Sequence, residues 1–149
     1  MSRPALLDVN LLIALFNEHH VHHEPAHDWF ADYHGQPWAS CPLTEIAFIR
    51  ILSDPSQRGG LIPLPTLADH LARFCRDEQH EFWPDAVSIY DDTLFDLSVV
   101  RGHRQVTDAY LLGLAVRRGG RLVTFDQSIP ISSVKGATRA SLEVIGPAE

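Results

Sequence analysis

Residues 106–129, VTDAYLLGLAVRRGGRLVTFDQSI, decide the fold of this chain. Thr107 or Asp108 can cap a helix that continues to the arginine pair, and Gly119 with Gly120 stops that helix. Residues 121–125 then predict a strand with little ambiguity. A helix that passes into a strand through a short turn is the repeating unit of α/β proteins.

The same alternation continues on both sides of this segment. Residues 5–7 and 38–39 predict short strands, and residues 141–145 predict a final edge strand. The other predicted elements are helices at 11–16 (capped by Asn10 or Asp8), 25–33, 42–52 and 67–77 (capped by Thr66), a strand region at 82–89, and a helix from Asp92 or Thr93 to residue 100. Residues 54–65, with several Pro and Gly, predict a loop. The pattern predicts an α/β fold, one domain over residues 1–149, with a mostly parallel sheet and helices on both faces.

Composition is that of an ordinary globular protein, with 149 residues, 45% hydrophobic and 21% charged. No apolar run approaches the ~20 residues that cross a bilayer, and no leader-like segment precedes residues 11–16. We therefore expect a cytoplasmic protein without a membrane partner. Cys41 and Cys75 lack metal-type spacing and are expected to be reduced, partly buried thiols. The net charge of −7 disfavours a polyanionic partner, but grouped arginines still permit RNA binding.

Four acidic residues stand inside or at the end of apolar runs, namely Asp8, Glu45, Asp108 and Asp126. An ionised carboxylate in such surroundings costs free energy unless a positive charge neutralises it. Each acid also has a purely structural alternative. Asp8 and Asp108 can be helix caps, Asp126 a turn residue, and Glu45 a solvated helix residue.

Placed on the α/β pattern, these four acids can meet at one edge of the sheet, since two follow strands and two begin helices. Carboxylate oxygens select Mg²⁺ or Mn²⁺ rather than zinc. Such ions activate water and stabilise the leaving oxygen during phosphodiester cleavage. The sequence therefore predicts a divalent-metal site suited to phosphoryl chemistry.

Three segments in order carry a resemblance to a known family: LLDVNLLIALF at 6–16, PLTEIAFIRIL at 42–52, and the segment 106–129. With them the chain resembles PIN-domain ribonucleases, and more closely the VapC-type toxins of type II toxin–antitoxin systems, over essentially its whole length. The resemblance implies a PIN-like fold and Mg²⁺- or Mn²⁺-dependent endonucleolytic cleavage of RNA. It further implies neutralisation by a cognate antitoxin protein, and a homodimer.

The resemblance also assigns roles to individual residues. It makes Asp8, Glu45, Asp108 and Asp126 the catalytic, metal-binding acids. Asn10, Thr107 and Thr124 match polar positions that accompany these acids as supporting or substrate contacts. Arg50 and Arg104 are candidates at the rim of the cleft for contact with RNA or with the antitoxin.

A histidine cluster departs from the rest of the pattern and comprises His19, His20, His22, His23 and His27, with His34 nearby. It can be a transition-metal site or an RNA-contacting patch, or simply a solvated loop in which His23 braces the next helix. No cysteine is near enough in sequence to complete a zinc set.

Other functions fit parts of the same sequence. A nuclease of RNA processing without an antitoxin keeps the fold, and growth arrest relieved by a neighbouring small gene's product separates it from a toxin. A receiver-like, Mg²⁺-binding regulatory domain needs a lysine beside the acids, whereas the one lysine, Lys135, follows the last of them. A protein that only binds other proteins would carry the four acids at these positions by coincidence.

Overall fold

The structure, a computed structural model, describes residues 3–56 and 62–146. Its strands are β1 (Ala5–Leu7), β2 (Trp38–Ser40), β3 (His80–Phe82), β4 (Arg121–Thr124) and β5 (Leu142–Val144). Its helices are α1 (Val9–Phe16), α2 (His23–Asp32), α3 (Pro42–Leu52), α4 (Leu64–Phe74) and α5 (Val106–Arg117). Short 3-10 helices cover Leu97–Val99, His103–Gln105, Ile131–Ser133 and Arg139–Ser141. None of the helices in these ranges has the length and apolar character that a bilayer span requires.

The five strands form one sheet in the order β3-β2-β1-β4-β5, and every neighbouring pair is parallel. Along the chain, β2 and β3 extend the sheet outward on one side of β1, and β4 and β5 then extend it on the other side. This reversal places a topological switch point between β1 and β4. In open parallel sheets such a point, at the carboxyl ends of the strands, is where ligands bind.

Strand alternation divides the core between the two faces of the sheet. Ala5 and Leu7 pack into the cluster that holds the apolar residues of α1 to α4. Leu6 packs into the opposite cluster, together with α5. All three side chains are fully buried, which explains the uninterrupted apolar run in β1. The predicted fold class, a parallel sheet with helices on both faces, is confirmed.

Several helix ends agree with the predictions and others need correction. Asp8 caps α1, α3 has the predicted bounds, and Gly119 ends α5 in the left-handed conformation with φ of 70°. However, α5 begins at Val106, so Thr107 and Asp108 lie in its first turn and neither is its cap. Thr66 is not the cap of α4 either, because that helix begins two residues earlier, where Pro63 and Pro65 bracket its first position. Likewise, α2 begins at His23, before Pro25.

The segment between α4 and α5 was predicted least well. Residues 82–89 do not form a strand, because β3 ends at Phe82 and the chain turns at Pro84, whose carbonyl accepts from the amide of Ala86. The helix predicted up to residue 100 is also wrong, apart from the 3-10 turn. Asp91 and Asp96 accept hydrogen bonds from backbone amides two residues ahead, and such local bonds compete with a helix. Of the predicted loop 54–65, residues 57–61 lie outside the described ranges.

Candidate active site

Asp8 is both a helix cap and a buried acid at the carboxyl end of β1. Only 3% of its surface is exposed. One carboxylate oxygen accepts from the amide of Val9 at 2.7 Å, and the other accepts from the hydroxyl of Thr124 at 2.7 Å. A helix cap and a site acid are therefore compatible interpretations of Asp8, since the residue that caps α1 also lies at the switch point.

Thr124, the last residue of β4, links the elements around this acid. Its fully buried hydroxyl donates to Asp8 and accepts from the side-chain amide of Asn10 at 3.1 Å and from the backbone amide of Asp126 at 3.0 Å. A hydroxyl offers one donor and two acceptor positions, so this one is fully used. The predicted supporting residues Asn10 and Thr124 thus hold β1, α1 and β4 in register beneath the acids.

Asp126 and Asp108 complete a three-acid cluster with Asp8. Asp126 follows β4 and accepts from the amide and the hydroxyl of Ser128, at 2.8 and 2.6 Å, which makes it a turn residue as well. Asp108 comes from the first turn of α5 and is hydrogen-bonded to Asp126. We call Asp8, Asp108 and Asp126 the acid cluster.

Burial is the largest influence on the pKa of each of these carboxylates, and repulsion by neighbouring acids adds to it at Asp8 and Asp108. Burial raises the pKa of Asp8, and the charge of Asp126 raises it further, although the bonds from Thr124 and Val9 oppose both effects. Burial raises the pKa of Asp108 to about 7, together with the charge of Asp8 and the hydrogen bond and charge of Asp126. Burial would raise the pKa of Asp126, but the hydrogen bonds from Ser128 and Asp108 outweigh it and lower the value. Below about pH 7, and without a cation, the pKa of Asp108 favours its protonated form, whose hydroxyl can donate a hydrogen bond to Asp126.

A cleft of about 210 Å³ opens beside the acid cluster and brings in two more predicted residues. Asp8 and Asp108 line it, together with Thr107 from α5 and Arg50 from α3. Arg104 lies outside the cleft, exposed in the 3-10 helix before α5. Its neighbour Gln105 donates to the carbonyl of Ser128 at 3.0 Å, which places this turn beside the Asp126 loop.

Glu45 is the predicted acid that the structure does not bring into the cluster. Its carboxylate accepts from the buried hydroxyl of Ser40 at 2.6 Å, and it lies close to Cys75 and His80. Thr44, the preceding residue, lines the cleft, so Glu45 stands at its border and points the other way. Ser40 and His80 were missed from sequence, because only the pairing of β2 with β3 brings them next to Glu45.

The acid cluster offers the donor chemistry that a hard divalent cation prefers, although among the described residues its three ligand atoms do not all lie within 4.8 Å of one another. All three side chains offer carboxylate oxygens, the donors that Mg²⁺ and Mn²⁺ prefer. In residues 3–56 and 62–146 no basic side chain forms an ion pair with any of them. Burial first, and then the charges of Asp8 and Asp126, raise the pKa of Asp108, and a bound cation would offset these effects.

The histidine cluster packs at the edge of this region. The ring of His22 stacks on Phe125, with centroids 4.6 Å apart, directly before Asp126. Nδ1 of His23 lies 2.7 Å from the carbonyl oxygen of Ala14 and so ties α2 to α1. In the described ranges, the cluster does not contain three side chains close enough to share one metal ion.

Comparison with known proteins gives a consistent family assignment. The PIN domain model matches residues 5–134. Ribonuclease VapC44 of Mycobacterium tuberculosis (strain ATCC 25618 / H37Rv) is 45% identical over 141 residues, 95% of this chain and 99% of the relative. Ribonuclease VapC39 of the same strain is 43% identical over 133 residues, 89% and 95% of the two chains. Ribonuclease VapC38 is 43% identical over 125 residues, 84% and 86% of the two chains.

The matched region includes all three acids of the cluster, the strands β1 and β4 that Asp8 and Asp126 follow, and the helix α5 that carries Asp108. Fold, strand order and sequence similarity over nearly the full length of the relatives therefore agree. The chain belongs to the PIN domain family, as a VapC-type member.

Proposed function

We propose that this chain is a metal-dependent endoribonuclease that acts in the cytoplasm as the toxin of a toxin–antitoxin pair. The convergence of Asp8, Asp108 and Asp126 at the switch point between β1 and β4 carries the proposal. The relatives with the names of ribonucleases support RNA as the substrate.

Asp8, Asp108 and Asp126 would hold Mg²⁺ or Mn²⁺ in this mechanism. Such an ion, when bound, lowers the pKa of water and stabilises the charge that develops on the leaving oxygen. The chain's own residues fix the geometry that this chemistry needs. Thr124, itself held by Asn10, orients Asp8, while Ser128 orients Asp126, and a bound ion would draw these carboxylates and Asp108 closer together.

Arg50 and Thr107 are proposed to contact the RNA backbone, because both line the cleft beside Asp8 and Asp108. A guanidinium group binds a phosphate through two parallel hydrogen bonds and keeps its charge at every physiological pH. Arg104, exposed before α5, is proposed to contact RNA or the antitoxin further from the reacting phosphate.

Glu45 is proposed to join the acid cluster as a fourth acid through a change of rotamer. Its position in the first turn of α3, next to Thr44 of the cleft, supports this proposal. The movement exchanges the 2.6 Å hydrogen bond to Ser40 for a place beside a cation. The Ser40 hydroxyl keeps His80 as a partner at 2.8 Å, so no buried polar group is left unsatisfied.

An apolar groove is proposed as the binding site of the antitoxin. Leu12, Leu15 and Phe16 of α1 form one wall, and Phe48 and Phe74 line the other side of a cavity of about 400 Å³. Amphipathic helices bind in such grooves by burying one apolar face. Arg73, whose guanidinium is already paired with Asp69 at 2.7 Å, and His70 also line this cavity.

The function is tested by RNA cleavage and by growth. Purified protein should cleave RNA with Mg²⁺ and lose this activity in EDTA. Expression should arrest growth, and the product of the neighbouring small gene should relieve the arrest. Cleavage that survives EDTA contradicts the metal dependence. Cleavage without growth arrest favours an RNA-processing nuclease over a toxin.

A further inference from the structure

A second set of metal-binding side chains surrounds Glu45. One carboxylate oxygen of Glu45, the sulfur of Cys75 and a ring nitrogen of His80 all lie within 4.8 Å of one another. All three residues are half-buried, and Cys75 is a free thiol. The hydroxyl oxygen of Ser40 lies between them, 2.6 Å from Glu45, 2.8 Å from His80 and 3.9 Å from Cys75.

The tertiary fold, rather than a local motif, brings these residues together. Glu45 lies in the first turn of α3, Cys75 is the C-cap of α4, and His80 begins β3. Parallel pairing sets His80 opposite Trp38, and the two rings pack with centroids 4.6 Å apart. The indole of Trp38 is itself held by a 3.0 Å hydrogen bond to Asp77. This packing against a fixed indole limits the orientations that the imidazole of His80 can adopt.

The donor set differs in kind from the acid cluster. A thiolate, an imidazole and a carboxylate suit Zn²⁺ and similar transition metals, whereas Mg²⁺ prefers oxygen donors alone. Bonds of about 2.0–2.3 Å to a tetrahedral ion hold ligand atoms roughly 3.3–3.8 Å apart, so the three groups need to approach by only about 1 Å. Cys75 would bind as the thiolate and release its proton to solvent. Water can take the fourth position, because the residues are only half-buried.

We propose that Glu45, Cys75 and His80 form a second cation site, selective for Zn²⁺ or a similar transition metal over Mg²⁺. Occupation of this site holds the Glu45 carboxylate away from the acid cluster and thereby slows RNA cleavage. The binding site stands independently of the activity. Its inhibitory effect rests on the proposed function, in which Glu45 joins the acid cluster.

Cobalt tests the binding site directly, since Co²⁺ replaces Zn²⁺ and a thiolate ligand gives it an intense near-ultraviolet absorption. The full-length protein should develop this absorption on titration with Co²⁺, and Zn²⁺ should abolish it. Cys75→Ser should remove it, whereas Cys41→Ser, the matched removal of the other thiol, should keep it. His80→Gln should weaken Zn²⁺ binding at least about 10-fold, against no change for the exposed His34→Gln. No absorption in the parent protein, or equal absorption in Cys75→Ser, overturns the site.

Zn²⁺ added in the presence of excess Mg²⁺ tests the inhibition. Each variant is compared with its own zinc-free rate of RNA cleavage. Zn²⁺ should slow the parent protein and Cys41→Ser, and it should have at least about 10-fold less potency against Cys75→Ser. Equal inhibition of the parent protein, Cys41→Ser and Cys75→Ser overturns the proposal that Glu45 serves both the second cation site and the acid cluster. If none of them cleaves RNA under any condition, the proposed function fails, while the cobalt spectrum still decides the site.

Discussion

At the scale of single residues, the acids of the cluster have structural roles beside the chemical roles proposed for them. Asp8 is a helix cap and Asp126 a turn residue, and hydrogen bonds from Thr124 and Ser128 fix the orientation of their carboxylates. The apolar sequence around Glu45 predicted that its carboxylate has a specific partner. In the structure this carboxylate lies beside Ser40 and His80 rather than beside the other acids.

Asp108 should make the stability of the metal-free protein depend on pH. Its pKa is about 7 in the folded protein, against 3.8 for the isolated group. Between pH 3.8 and about 7, Asp108 binds a proton in the folded state but not in the unfolded state. This proton binding stabilises the folded state at low pH, and the stabilisation is lost as the pH rises towards 7. Thermal unfolding in EDTA at about pH 5 and pH 8 measures this contribution against Asp108→Asn. The parent protein should lose melting temperature relative to the variant at the higher pH. A difference in melting temperature between the two proteins that is the same at both pH values contradicts the raised pKa of Asp108.

Arg50 should contribute to RNA binding through its position in the cleft. Arg50→Ala removes one charged contact to phosphate, so we expect a loss of about 10-fold in kcat/KM, mostly through KM. The exposed Arg76→Ala, outside the cleft, serves as the control for a general change in charge. Equal effects of the two substitutions, measured at one salt concentration, would show that Arg50 has no specific contact.

At the scale of elements, the site depends on how α5 packs against the sheet. Gly113 lies on the buried side of this helix, and a methyl group there would overlap the ring of Phe95. The helix therefore packs directly against Phe95, which lies in the segment that precedes it. The same packing explains a glycine in the middle of a helix, where it otherwise costs stability.

Gly113→Ala should accordingly destabilise the protein. The overlap with the ring of Phe95 puts the overpacking cost at about 2–3 kcal/mol, and the better helix propensity of alanine returns about 1 kcal/mol, so a net loss of roughly 1–2 kcal/mol is expected. Urea unfolding measures it. Gly146→Ala, where nothing lies within 4 Å of the added carbon, should change stability by less than about 0.5 kcal/mol. A stabilised Gly113→Ala protein would contradict the packing.

At the scale of the whole molecule, Mg²⁺ should stabilise the fold because it neutralises carboxylates from β1, β4 and α5 together. A ligand at 100 times its dissociation constant adds about 2.7 kcal/mol to the free energy of unfolding. Thermal unfolding with and without Mg²⁺ measures this gain. Asp126→Asn should reduce it, while Asp92→Asn, an exposed acid outside the cluster, should leave it intact. Equal stabilisation of both variants would place the ion elsewhere.

The homodimer implied by the family remains a prediction for the whole molecule. Apolar side chains stay exposed on the described surface, among them Ile46 at 63% and Tyr90 at 86%. A dimer interface that covered such side chains would remove apolar surface from water. Sedimentation equilibrium should show twice the 16.7 kDa chain mass, and a single-chain mass at high protein concentration would contradict the prediction.

Much of the fold was predictable from sequence because its signals are local. Helix α3 and the unit formed by α5 and β4 have strong apolar patterns bounded by Pro42 and Gly119. Residues 82–100 were not predictable in this way, since aspartate turns replaced the expected strand and helix. The acids of the cluster were identifiable by position. The environment of Glu45 was not, because sheet pairing and the end of α4 create it.

The central claim is that the acid cluster binds the ion required for RNA cleavage. The most direct measurement is the single-turnover rate of RNA cleavage at saturating Mg²⁺, compared between Asp8→Asn and Asp92→Asn. Asparagine also caps helices, so the Asp8 variant should keep the fold, and its melting temperature verifies this. We expect Asp8→Asn to cleave at least about 100-fold more slowly than the parent protein, with Asp92→Asn unchanged. A folded Asp8→Asn protein that cleaves RNA at the parent rate would contradict the claim.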